Sequence, residues 1–365
     1  MRPRMHRLAF MALPTDNLLT LFRSIVDIES VSHHERELAD AIETTLRGCA
    51  HLEIIRDGDA VMARTDLGRG ERVIIAGHLD TVPVDGNLPS TTTGTGDQII
   101  VHGRGTCDMK GGIAVMVWLA QRLAAPNRDI TWVFYDCEEI EDTANGLRRL
   151  AAGHPDWLEA DLAVLMEPTS ARIEGGCQGT TRFDITTTGV AAHSARSWLG
   201  HNAIHDIADV LERARGFDAR QIEVDGLVYR EGLNATLISG GLASNVVPPS
   251  CTVQINYRFA PDKSGEQALA LMTELFEEWT LQLRDLSPGA RPGLDQPAAA
   301  AFVAAVGGEP RPKYGWTDVA RFASLGMPAV NYGPGDAGKA HAIDEQCPLA
   351  DLDACVDALE RWLSS

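Results

Sequence analysis

Val73-Ile74-Ile75-Ala76-Gly77-His78-Leu79-Asp80 opens with an unbroken apolar run and stops on side chains rich in chemistry. Four apolar residues without alternation predict a short strand covered on both faces by helices. The same shape recurs three times. Residues 130–135 end at Asp136-Cys137-Glu138-Glu139, residues 162–166 end at Glu167-Pro168, and residues 329–332 lead into a Gly-rich loop that reaches His341. Residues 113–123 read as a helix behind a Gly111-Gly112 turn. Strands alternating with helices predict an α/β catalytic domain with a mostly parallel central sheet flanked by helices. Such sheets hold ligands just past the C-terminal ends of their strands, where these polar residues fall.

Outward from that core, residues 18–46 carry apolar positions at helical spacing, interrupted around 30–34, and predict two helices. Between 180 and 287 the pattern changes: a strand at 182–188, a helix at 202–215 capped by Asn202, strands at 235–238 and 251–259, a helix at 264–279 and a strand at 281–283. That order predicts a small α+β unit inserted into the larger domain. The Pro-, Gly- and Ala-rich stretch 287–305 marks the return. The expected organisation is a disordered tail at 1–14, a catalytic domain at 15–179 and 288–365, and the insert at 180–287.

Composition narrows the partners. Among 365 residues, 51 Asp and Glu outnumber 32 Lys and Arg, a net charge of -19, and this field repels nucleic-acid phosphates and anionic lipid. No apolar run approaches the roughly 20 residues of a spanning helix. The seven cysteines form no CxxC pair, and an odd, scattered set fits reduced thiols in a cytoplasm.

Five residues that follow separate strands or the turn into a helix are candidate metal ligands: His78, Asp108, Glu139, Glu167 and His341. Two imidazoles and three carboxylates suit Zn²⁺ or a similar ion, and a carboxylate shared between two partial sets suits a bridge between two metals. Asp80 is placed to accept the second ring N–H of His78. A metal-bound carboxylate cannot also serve as a base, so the adjacent pair divides the labour, Glu139 as ligand and Glu138 as proton shuttle. Gly103-x-Gly105 does not have the GxGxxG spacing, and Asp108 would stand where a pyrophosphate must sit, which excludes a dinucleotide loop.

Residues 77–83 (Gly-His-Leu-Asp-Thr-Val-Pro), 103–112 (Gly-Arg-Gly-Thr-Cys-Asp-Met-Lys-Gly-Gly), Glu138-Glu139, Glu167-Pro168 and 341–345 (His-Ala-Ile-Asp-Glu) resemble the co-catalytic zinc aminoacylase and carboxypeptidase family. The resemblance runs from Asp16 to the C-terminus. It implies two Zn²⁺, with Co²⁺ able to substitute, bridged by Asp108, with His78 and Glu167 on one ion and Glu139 and His341 on the other. It further implies Glu138 as general acid/base, Asp80 as the orienting acid, and the insert as a lid and homodimerisation domain whose His193 acts in the opposite subunit. Asn245, Arg258 and Thr317 match substrate-contacting positions, and Arg196, three residues past His193, is placed to join them.

Longer stretches, such as 192–199 and 313–318, point within the family to removal of succinate from an N-succinylated diaminopimelate, an anionic small molecule. Deacetylation of acetylornithine and carboxypeptidase cleavage are the alternatives, since the metal motifs are common to all three. A non-catalytic metal-binding protein is a remoter one, for which Glu138 has no purpose. Two departures stand out: some relatives have Tyr where this chain has Arg196, and a basic residue where it has Gln178.

Overall fold

The computed structural model describes residues 12–364, which divide into two units. The first runs through Gly175 and takes in Gly293–Arg311 and the chain from Arg321 onward; the second comprises Gly176–Pro292 and Pro312–Ala320.

In the first unit the run at 73–76 lies within the strand Arg72–His78, paired in parallel with Asp129–Tyr135 on one side and Leu162–Leu165 on the other. Ala329–Asn331 extends the parallel set beside Leu162–Leu165. Almost every residue of these four strands is buried, and because successive side chains point to opposite faces, both faces are covered. That is why the sequence reads as continuous apolar runs. Antiparallel strands flank the parallel core in an eight-stranded sheet. One edge is a hairpin, Glu53–Asp57 with Ala60–Arg64, that periodicity did not anticipate; its turn places Gly58 at φ +60°.

The helices Leu18–Asp27 and Arg36–Leu46 match the expected pair, and their apolar faces join a core with Ile113, Val117, Trp132 and Leu359. The third expected helix starts earlier than read, as Gly111–Arg122. Gly111-Gly112 is its first turn and not a preceding loop. A Cβ on Gly112 would stand 2.3 Å from the Met166 carbonyl oxygen, so glycine lets this helix start close against the segment that carries Glu167.

The second unit is an antiparallel sheet in the order Gly232–Gly240, Ser250–Phe259, Gly179–Thr188, Leu281–Ser287. Its helices, Ala203–Arg215 and Gly265–Leu275, share a core with Phe183, Ile185, Val253 and Tyr257. Asn202 caps the first helix through the Ile204 N–H (2.9 Å), and Ser264 with Gln267 forms a capping box on the second.

The division differs from the sequence expectation in two places. The second unit begins and ends a few residues further out, because Cys177 and Ala290 exchange backbone hydrogen bonds of 3.0 and 3.1 Å across its two crossing segments. It also takes in residues 312–320, where the Trp316 indole N–H donates to the Pro288 carbonyl (3.0 Å). At the other end, the expected tail lies mostly outside the described residues, but Leu13 is buried and its N–H donates to Thr45 Oγ1 (2.8 Å), so order begins before residue 15. None of the seven cysteines is paired, and no helix among the described residues is long and apolar enough to cross a membrane.

Candidate active site

His78 is the last residue of its strand; Glu139 and Glu167 follow the ends of the two strands beside it, Asp108 precedes the helix at Gly111, and His341 lies in the loop after Ala329–Asn331. The fold gathers them into two donor groups, His78, Asp108 and Glu167, and Asp108, Glu139 and His341, each with ligand atoms within 4.8 Å of one another. Asp108 belongs to both. His78 Nε2 is 3.2 Å from Asp108 Oδ1, while His341 Nε2 is 3.4 Å from Asp108 Oδ2 and 3.0 Å from Glu139 Oε1.

The chemistry of this set calls for cations. His78 Nδ1–H donates to the Asp80 carbonyl (3.0 Å), which leaves the Nε2 lone pair facing a carboxylate that can only accept. The carboxylates favour positive charge on both imidazoles. Asp108 and then Glu139 push the His341 pKa up to about 10 against the effect of burial. Burial opposes charge on His78, yet hydrogen bonds to Asp108 and Asp80 raise its pKa well above the usual value. Two imidazole nitrogens and three carboxylates converging on two pockets fit divalent ions such as Zn²⁺.

Asp80 meets His78 through both its main chain and its carboxylate. The His78 ring N–H goes to the Asp80 main-chain carbonyl, and the carboxylate lies farther away at 3.5 Å. The carboxylate oxygens are already engaged: Oδ1 accepts the Glu138 N–H (2.9 Å), and Oδ2 accepts the Glu139 N–H (3.1 Å) and the Ser32 hydroxyl (2.8 Å). Asp80 therefore anchors both the histidine and the acidic turn. The turn needs anchoring, because Cys137 just before it has φ +58°, a left-handed conformation uncommon for non-glycine residues. His341 shares that conformation, at φ +64°.

Glu345 is a residue whose role the sequence did not reveal. It is 1% exposed; one carboxylate oxygen pairs with buried Arg104 (2.9 Å) and the other accepts the backbone N–H groups of Cys107 (3.1 Å) and Asp108 (3.2 Å). The segment carrying His341 is thereby tied to the loop carrying Asp108. The only sequence signal was an Arg and a Glu inside the two quoted motifs. Removing one partner of such a buried pair typically costs about 3–5 kcal/mol. Urea unfolding of metal-free Glu345→Ala is expected to show a loss of that size, and a change below about 1 kcal/mol, the scale of an exposed pair, would show that the contact is dispensable.

The remaining sequence candidates belong to the second unit. His193 is exposed and its Nδ1 accepts the Ala195 N–H (3.0 Å); the Asn245 carbonyl accepts the next N–H, from Ser194 (2.9 Å). Arg196 is exposed and has no ion pair among the described residues. Arg258 is partly buried, with one side-chain hydrogen bond, to Asn256 Oδ1 (3.2 Å); burial and the neighbouring Arg182 lower its pKa. Thr317 is buried, and its carbonyl accepts from Ala320 at the head of the helix Val319–Ser324. Gln178, in place of a basic residue, donates to the Arg230 carbonyl (2.5 Å).

A buried α/β sheet gathers at its strand ends two candidate metal-donor groups that share Asp108, an arrangement suited to a metal-dependent hydrolase, and the family model described as peptidase family M20/M25/M40 matches residues 74–365. The chain belongs to that family. It is 53% identical over 348 residues, 94% of this chain and 97% of the other, to a Mycobacterium tuberculosis protein named "Putative succinyl-diaminopimelate desuccinylase DapE". It is 42% identical over 359 residues, 95% of this chain and 96% of the other, to the succinyl-diaminopimelate desuccinylase of Corynebacterium glutamicum. Among solved structures, a family M20 metallo-carboxypeptidase from Sulfolobus solfataricus shares the fold at a TM-score of 0.75 and 17% identity, covering 95% of this chain and 98% of that one.

Proposed function

We propose that the protein hydrolyses N-succinyl-L,L-2,6-diaminopimelate to succinate and L,L-diaminopimelate, a step toward lysine and peptidoglycan. The observation that carries this reading is near full-length identity of 53% and 42% to two proteins of that name, joined to a complete set of donors around Asp108. The residues have distinct tasks. His78 and Glu167 would hold one Zn²⁺ and Glu139 and His341 the other, with Asp108 between them and Co²⁺ able to substitute. When bound, the ions supply Lewis acidity that activates water and polarises the succinyl carbonyl. Glu138, held on the backbone by Asp80, takes the proton of the attacking water on its carboxylate and returns it to the departing amine. His193 donates to the developing oxyanion.

In this reading His193 comes from the second subunit of a homodimer. The second unit exposes Trp198, Leu199, Leu237, Ile238 and Leu242, apolar side chains of the kind that a subunit interface covers. Seven unpaired thiols fit a cytoplasmic enzyme.

The substrate is an anion approaching a chain of net charge -19, so local positive groups must attract it. Arg258 fits that need, with Arg196, Asn245 and Thr317 completing the contacts. A guanidinium with one neutral side-chain partner has its fork available for a carboxylate. Purified protein is expected to release succinate from succinyl-diaminopimelate far faster than acetate from acetylornithine; the reverse preference would refute the assignment. Arg258→Ala should cost about 2–5 kcal/mol in kcat/KM on the dicarboxylic substrate, and much less on an acyl substrate without the distal carboxylate. Equal losses on both would remove Arg258 from substrate recognition.

A further inference from the structure

Three successive backbone N–H groups at the acidic turn point into two buried carboxylates from other parts of the chain. Cys137 donates to Glu35 Oε1 (3.1 Å), Glu138 to Asp80 Oδ1 (2.9 Å) and Glu139 to Asp80 Oδ2 (3.1 Å). Asp80 accounts for two of these contacts; Glu35 has so far had no role. It is 1% exposed and stands at the head of the helix Arg36–Leu46, yet its side chain does not cap that helix. Instead, Oε1 also accepts the His33 N–H (3.1 Å) and the Cys137 thiol (3.3 Å).

The segment bearing Glu35 is itself tied to the strand end at His78. Ser30 Oγ donates to the Leu79 carbonyl (2.7 Å), the Thr81 N–H donates to the Ser30 carbonyl (3.0 Å), and Ser32 Oγ donates to Asp80 Oδ2 (2.8 Å). Glu35 and Asp80 thus approach the turn as one braced assembly. Cys137, at φ +58°, is the residue whose conformation has to be held if the Glu138 side chain is to keep its direction.

We propose that Glu35 is a positioning residue for the proton-carrying Glu138, acting by holding the left-handed turn at Cys137. The proposal rests on the reading of Glu138 given above. Oε1 serves equally as a carboxylate oxygen or as the carbonyl of a neutral acid, so glutamine at position 35 preserves the acceptor, whereas alanine removes it.

The test compares zinc-loaded full-length Glu35→Ala, Glu35→Gln and Glu138→Gln, together with hydrogen exchange on the zinc-free proteins. Displacement of a reacting group by about 1 Å can cost about 10²-fold in rate. Glu35→Ala is expected to lower kcat by about 10–100-fold, with KM within about twofold and zinc content unchanged. Glu35→Gln should restore most of the rate, and amide exchange at 137–139 should be faster in Glu35→Ala than in wild type or Glu35→Gln. Wild-type turnover and exchange in Glu35→Ala, beside an inactive Glu138→Gln, would overturn the proposal alone. So would equal losses in the Ala and Gln variants, or a loss that tracks zinc content. Wild-type turnover in Glu138→Gln would overturn the reading of Glu138, and the proposal with it.

Discussion

Replacing Glu138 by Gln is expected to lower kcat by about 10²–10⁴-fold, the range that a positioned acid/base contributes, while metal content stays at the wild-type level. The substitution keeps the size and the backbone N–H that Asp80 holds, and removes only the capacity to carry a proton. The contrast with Glu139 is built into the turn. Both residues hang from the same Asp80 carboxylate, but Glu139 reaches within 3.0 Å of His341 in a donor group and Glu138 belongs to neither group. Single-turnover kinetics with metal analysis would separate the two. Mixing the inactive variant with His193→Ala protein adds a check on the dimer: once subunit exchange is shown, some activity should return, because one mixed site has an intact Glu138 and an intact His193. No recovery would confine His193 to its own chain or to structure.

Asp108→Ala is expected to empty both metal pockets. Asp108 is common to both donor groups, so its loss leaves two donors on each side, whereas Glu167→Ala removes a donor from one group only. Affinity at both pockets should fall by more than the roughly 10–100-fold that follows loss of an outer hydrogen-bond partner. The loss should be visible as reduced stoichiometry by metal analysis after dialysis. Chelation of the wild type should abolish activity and Zn²⁺ restore it, while Asp108→Ala should recover little at any practical concentration. Undiminished two-ion occupancy in Asp108→Ala would refute the bridging assignment.

The sequence by itself determined the central strands and the chemical kind of the site. A strand buried on both faces must be apolar throughout, and Arg72–His78 and Asp129–Tyr135 are therefore legible as runs whose ends can be read directly. Metal donors are limited to a few residue types, so His78, Asp108, Glu139, Glu167 and His341 stand out once each follows such a run or a glycine turn. The tertiary structure alone decided how those donors are held. Asp80 lies two residues from His78, but its carboxylate is occupied by N–H groups 58 and 59 positions away. Glu345 reaches Asp108 across 237 positions, and Glu35 reaches Cys137 across 102. Local propensity and periodicity report on neighbours along the chain, whereas a carboxylate that satisfies backbone groups of a distant turn leaves no periodic trace. The same reason hid the affiliation of residues 312–320, because hydrogen bonds that close only after the chain has returned assign them to the second unit.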